Sequence, residues 1–134
     1  MRTRTGLIAF VPALCWAGVV AFVGGIDDPI GPTVDLPIDK VAHFFLYGVL
    51  GALAAWGWQR AGRRPAWWWL ILAIWLLGAW DEWRQTRISG RSAEFADWVA
   101  DATGALTAFA VIRALAGMAR ERDGNEPESF DLAP

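Results

Sequence analysis

The sequence predicts an all-α integral membrane bundle of four transmembrane helices, with both termini in the cytoplasm. Three observations carry that prediction. Hydrophobic residues make up 55% of the 134 residues and fall in runs rather than at amphipathic spacing, the pattern of a chain whose solvent is lipid. Tryptophan is far over-represented at ten residues, most of them near the ends of the apolar runs, as in the aromatic belts of membrane interfaces. Basic residues are dense in some connecting segments and sparse in others, which is the asymmetry that orients spans. The formal net charge is only −2 and the pI about 5.3, so nucleic acid is not an expected partner.

The first helix is read over residues 6–25. Arg2 and Arg4 precede an uninterrupted apolar run. The run is longer than a signal-peptide core, and no small-x-small cleavage site follows it, so it reads as a span. Pro12 predicts a mild kink. Cys15, the single cysteine, rules out an internal disulfide and any cysteine-based metal motif; it reads as a small buried apolar residue. The next stretch, GGIDDPIGPTVDLP, holds three prolines and is a loop.

The second helix is expected over residues 38–58. Gly48, Gly51, Ala52 and Ala55 let neighbouring backbones approach, which predicts a central place in the bundle. A basic turn, QRAGRR, leads through Pro65 to the third helix at 65–82, whose wholly apolar part is short for a bilayer. The fourth helix is read over 93–118, with Arg113 near its end, where a long side chain can snorkel. Together these form one domain, 1–119, followed by a disordered acidic cytoplasmic tail at 120–134.

Orientation follows from the basic residues. With the N-terminus in the cytoplasm, Arg2, Arg4, Arg60, Arg63, Arg64, Arg113, Arg120 and Arg122 lie inside, against Lys40, Arg84, Arg87 and Arg91 outside. Asp27, Asp28 and Asp35 sit in the first outer loop with no basic residue before Lys40.

That orientation gathers three polar stripes at one membrane face. Asp39, His43 and Tyr47 recur at four-residue spacing on the second helix, Asp81, Glu82 and Gln85 end the third, and Asp97 and Asp101 open the fourth. Each stripe has a bland reading. Asp39 suits an N-terminal helix charge, and His43 a hydrogen-bonded interior histidine. Tyr47 suits a packing aromatic whose hydroxyl finds a partner. Asp97 suits an early-helix charge, and Arg84, Arg87 and Arg91 suit solvated loop residues. Asp101 lies too deep for such an account, and ionisable groups at that depth persist when they pair or serve a site.

At these residues the sequence resembles the VanZ-like family of small bacterial membrane proteins, named for a protein linked to teicoplanin resistance. The resemblance rests on Asp39-Lys40-Val41-Ala42-His43-Phe44 with Tyr47 and Gly48, on Asp81-Glu82-x-x-Gln85, and on Arg91-Ser92 followed by Asp97, Asp101 and Gly104. It covers roughly residues 35–110 and implies a bundle of about four helices at the cell envelope, in the bacterial cytoplasmic membrane. An effect on teicoplanin susceptibility is an expectation of the resemblance alone and is not carried over as the native role.

Three functions compete. In the first, an outer-leaflet pocket binds the head group of an envelope lipid or lipid-linked precursor: Arg84 and Arg91 meet phosphate, while Tyr47, Asp81, Glu82, Gln85 and Asp97 bond polar groups. In the second, the protein is a hydrolase or transferase on a lipid-linked substrate, with His43 as acid or base oriented by Asp39 or Asp101. His43 with Asp81, Glu82, Asp97 or Asp101 could hold a divalent metal. In the third, the charges only fix the bundle, although interhelical polar bonds in membranes contribute too little to account for so many.

Overall fold

A computed structural model of the chain describes residues 3–25, 38–63, 65–87 and 94–125, and every element among them is helical. The elements are α1 (Thr3–Ile8), α2 (Val11–Val23), α3 (Ile38–Arg60), α4 (Trp67–Gln85) and α5 (Phe95–Asn125). Arg91 and the aspartates of the first loop lie outside the described residues.

The first apolar run is two helices rather than one kinked helix. Pro12 occupies the first turn of α2 and has no N–H to return to the preceding turn. The chain therefore breaks at Ala9–Phe10, bridged by a bond from Phe10 N–H to the Leu7 carbonyl at 3.1 Å. Cys15 is exposed on α2. It shares the apolar surface with Leu14 and Phe22 rather than the core.

α3 is the centre of the molecule and packs most intimately on α5. A Cβ added at Gly51 would overlap the Ala105 carbonyl, and one at Gly104 would overlap the Phe44 carbonyl. The two backbones thus touch where small residues permit it. α3 ends in a Schellman turn, with Gly62 at φ 72° and bonds from Arg63 N–H to the Trp58 carbonyl and from Gly62 N–H to the Gln59 carbonyl.

α5 continues to Asn125, past the end expected at Met118 and into the segment expected to be a disordered tail. Ala119, Arg120, Glu121 and Arg122 are good helix formers, and Arg120 donates to the Gln59 side chain at 2.8 Å. Thirty-one residues span about 46 Å at 1.5 Å per residue, longer than a hydrocarbon core of about 30 Å. Residues 126–134 lie outside the described residues.

Indole N–H groups join the helices. Trp16 on α2 donates to the Leu46 carbonyl of α3 at 2.9 Å. Trp75 on α4 donates to the Ala102 carbonyl of α5 at 3.3 Å, and Trp98 on α5 returns to the Trp75 carbonyl at 3.0 Å. A buried indole without a partner would carry the cost of an unmade hydrogen bond. Between the helices lie Ala13, Val20, Tyr47, Leu50, Ala55, Ile71, Ile74, Ala105 and Phe109.

The distribution of polarity is the reverse of a water-soluble domain. Leu7, Leu14, Phe22, Phe45, Leu76, Phe95 and Met118 are exposed, whereas His43, Asp81, Glu82, Gln85, Asp97 and Asp101 are buried. Three helical stretches, Gly6–Val23, Asp39–Arg60 and Phe95–Arg122, are long and apolar enough to cross a membrane. α4 differs: six of its nineteen residues are tryptophan, and Asp81, Glu82 and Arg84 crowd its last turn.

Candidate functional site

Three helices bring the polar stripes to one end of the bundle. On α3, the four-residue spacing places Asp39, His43 and Tyr47 along one face. His43 is 8% exposed and Tyr47 1%, while the Asp39 side chain remains half exposed. From α5, Asp101 (1% exposed) meets His43 through its Oδ1, 2.9 Å from His43 Nδ1. The other imidazole nitrogen, Nε2, lies 3.9 Å from Asp39 Oδ1. Asp39 therefore stands at the rim and Asp101 at the floor. The contact between the Gly104 and Phe44 backbones, beside Asp101 and His43 in the chain, sets that short distance.

From α4, Asp81 and Arg84 pair at 2.6 Å. The same Arg84 nitrogen, Nη2, donates to the Ala21 carbonyl near the end of α2, and the guanidinium lies 4.9 Å from the Trp80 ring. Arg84 thus faces into the protein and clamps the first apolar segment to α4, rather than standing ready for a phosphate. Arg87 is exposed and stacks on Trp83 at 4.1 Å.

Glu82 uses one carboxylate oxygen, Oε2, to accept the Glu94 backbone N–H at 3.1 Å, capping a donor at the start of α5. Glu94 is a residue that the sequence reading did not single out, and Lys40 entered it only within the Asp39–His43 motif and as an outer cation. Lys40 Nζ is 2.7 Å from Glu94 Oε2 and 3.1 Å from Asp97 Oδ1, the latter an ion pair without hydrogen-bond alignment. The Lys40 ammonium holds the exposed Glu94 carboxyl below its ordinary range. Only one signal could have flagged the pair: an acid just ahead of a helix opening with Asp97, and a lone lysine beside Asp39.

Several buried polar atoms in this cluster have no hydrogen-bond partner among the described residues: Tyr47 Oη, Glu82 Oε1, Gln85 Nε2 and Asp101 Oδ2. The Tyr47 hydroxyl, expected to find a partner, has none among the described residues.

The model of the VanZ/LLP1 family matches residues 6–116. The chain belongs to the VanZ/LLP1 family. The match takes in the whole polar cluster and bears out the resemblance carried by the Asp39–Tyr47, Asp81–Gln85 and Arg91–Asp101 motifs. No curated protein and no solved structure matches the chain.

With its membrane-spanning helices, this VanZ/LLP1 chain is a membrane protein, and its cluster is unbalanced in charge. Among the described residues, Asp39, Asp81, Glu82, Glu94, Asp97 and Asp101 face Lys40 and Arg84 as permanent cations, with His43 between them. A bare phosphate placed here would meet more carboxylate than cation. Hydroxyl and ammonium donors, or a metal ion, suit the free oxygens better. Two overlapping sets have metal-ligand spacing: Asp39, His43 and Asp97, and His43, Glu82 and Asp101, each offering atoms within 4.8 Å of one another.

Proposed function

We propose that this VanZ/LLP1 protein crosses the bacterial cytoplasmic membrane four times with both termini inside. Its polar cluster then opens toward the outer leaflet and binds the head group of an envelope lipid or lipid-linked envelope precursor. One observation carries the reading: four buried polar side chains from three helices converge with donors and acceptors left unpaired, namely Tyr47 Oη, Glu82 Oε1, Gln85 Nε2 and Asp101 Oδ2. Leaving a buried polar group unpaired costs about 1–3 kcal/mol, so four such groups without partners among the described residues support a site where a polar ligand is bonded. The carboxylate excess favours a head group rich in hydroxyls or carrying an amine. On this reading the exposed Arg87, stacked on Trp83, meets the phosphate of the head group.

The orientation rests on the distribution of arginines and on the aspartates of residues 26–37. An alkaline-phosphatase fusion within 26–37 is active on this reading; an inactive fusion there, with an active one after residue 125, reverses it. The binding reading is tested by purifying the full chain from bacterial membranes in mild detergent and measuring the retained lipids by mass spectrometry. Wild type retains one lipid class above its share of the membrane, and Gln85→Ala and Asp101→Asn lose that enrichment. Identical lipid profiles in all three refute it.

A further inference from the structure

We propose that His43, Glu82 and Asp101 form a binding site for a single divalent cation. The first argument is geometric. One ligand atom from each residue lies within 4.8 Å of the other two, the separation expected of donors around one ion at about 2.0–2.6 Å. The three residues come from α3, α4 and α5, so an ion here bridges the bundle instead of sitting on a local acidic turn.

The second argument comes from two neutral side chains beside the cluster. Tyr47 lies one helical turn along α3 from His43 and is 1% exposed, its hydroxyl has no partner, and the charges of Asp81, Glu82 and Asp101 reach it. A buried phenol without a partner among the described residues, beside carboxylates, is a group that an ion-bound water would satisfy. Gln85 Nε2, on a side chain 3% exposed, is likewise unpartnered.

The third argument concerns which oxygens remain free. Glu82 spends Oε2 on the Glu94 N–H and keeps Oε1 unpaired among the described residues; Asp101 keeps Oδ2 unpaired, and its 2.9 Å contact through Oδ1 with His43 Nδ1 gives way where that nitrogen, without its proton, ligates the ion. A divalent ion satisfies both free oxygens and offsets the carboxylate excess in one step. The outer set is the weaker choice, because Asp97 Oδ1 is already 3.1 Å from Lys40 Nζ and the Asp39 side chain is 54% exposed. One imidazole nitrogen with carboxylate oxygens suits Mn²⁺, Mg²⁺ or Zn²⁺ rather than a soft, thiolate-seeking ion. The ion would also supply the positive charge that a phosphate-bearing head group lacks at this end of the bundle. The site shares residues with the proposed head-group site but needs no lipid.

The experiment uses the full chain in lipid-free detergent, stripped with a chelator and titrated with Mn²⁺ while electron paramagnetic resonance reports the free ion. Wild type binds one Mn²⁺ per chain, and Mg²⁺ or Zn²⁺ competes. Glu82→Gln and Asp101→Asn, which keep side-chain volume, weaken binding by about tenfold or more; Asp39→Asn leaves it within a few-fold. Circular dichroism without metal checks each fold, and His43→Gln reads the same quantity should either variant fail to insert. The proposal is overturned if wild type binds none of the three ions, if Glu82→Gln binds like wild type, or if Asp39→Asn alone abolishes binding. Because lipid is absent, failure of the head-group reading does not alter the result, and lipid retention by a metal-free protein leaves that reading standing.

Discussion

Replacing Gly104 by alanine tests how the site is held together. Its added methyl would overlap the Phe44 carbonyl oxygen, and backbone cannot swing aside as a flexible side chain can. Restoring ordinary contact requires α3 and α5 to separate by about 1 Å. His43 precedes Phe44, and Asp101 lies one turn before Gly104, so the same movement stretches the 2.9 Å contact between His43 Nδ1 and Asp101 Oδ1 past the hydrogen-bond limit of about 3.5 Å. Overpacking costs about 1–3 kcal/mol, and a carboxylate left buried without its partner adds a cost of similar size. The expected destabilisation is therefore about 2–6 kcal/mol. Gly48→Ala is the control, since its Cβ meets the Gly104 carbonyl at an ordinary 3.7 Å; it should be neutral or gain up to about 1 kcal/mol from helix propensity. Unfolding of the purified protein in detergent measures both. Nitrogen resonances of the imidazole report the site without ambiguity, because His43 is the single histidine. If Gly104→Ala unfolds like wild type with unchanged imidazole signals, the backbone contact does not set the site's geometry and the reasoning fails.

Further outcomes follow from the contacts around the cluster. Arg84→Ala leaves Asp81, 2% exposed, without its ion-pair partner. The expected loss is about 3 kcal/mol, at the low end for a broken buried pair because the arginine side chain is 27% exposed. The Asp81→Ala/Arg84→Ala double variant should lose less than the two single losses combined, and additive losses in chemical unfolding would contradict the pairing. Trp16→Phe removes the 2.9 Å bond to the Leu46 carbonyl at a cost of about 0.6 kcal/mol, measured by the same unfolding assay; no loss would mean the indole does not hold α2 on α3. Glu94 titrates below its ordinary range because of Lys40. Its contribution is complete above the unfolded carboxyl value, about 4.3, and disappears as pH falls through the folded one. Lys40→Ala should remove that contribution, seen as a flatter stability–pH curve than wild type on the acid side, while a wild-type-like slope would exclude the pair.

The helices and the membrane character were legible because apolar runs and tryptophans report burial in lipid directly. The face shared by His43 and Tyr47, and that shared by Asp97 and Asp101, were legible because a four-residue spacing fixes direction on a helix. What lay beyond reach was the partner across space. Arg84 reads as a loop cation until the end of α2 is seen 63 residues away in the chain. Lys40 and Glu94 pair across 54 residues, and no periodicity crosses a loop. Pro12 announced a disturbance, but whether a missing N–H bends a helix or splits it depends on packing, here that of Ala9 against Gly57. The extension of α5 past Met118 was hidden by charge: Arg120, Glu121 and Arg122 look like a tail by hydropathy while favouring helix by propensity.

The tryptophan-rich, charge-tipped α4 has a consequence for biosynthesis. Gly6–Val23, Asp39–Arg60 and Phe95–Arg122 can each partition into lipid on their own apolar character, but α4 would carry Asp81, Glu82 and Arg84 with it, and ionised groups enter hydrocarbon at substantial cost. Its charged groups are hydrogen-bonded by neighbours made both earlier and later: the Ala21 carbonyl of α2 accepts from Arg84, and the Glu94 N–H at the start of α5 donates to Glu82. On the four-span reading, α4 is a guest of the membrane until α5 emerges from the ribosome. A chain truncated before residue 94 should therefore leave α4 outside the bilayer and exposed to degradation, whereas truncation after residue 125 should not.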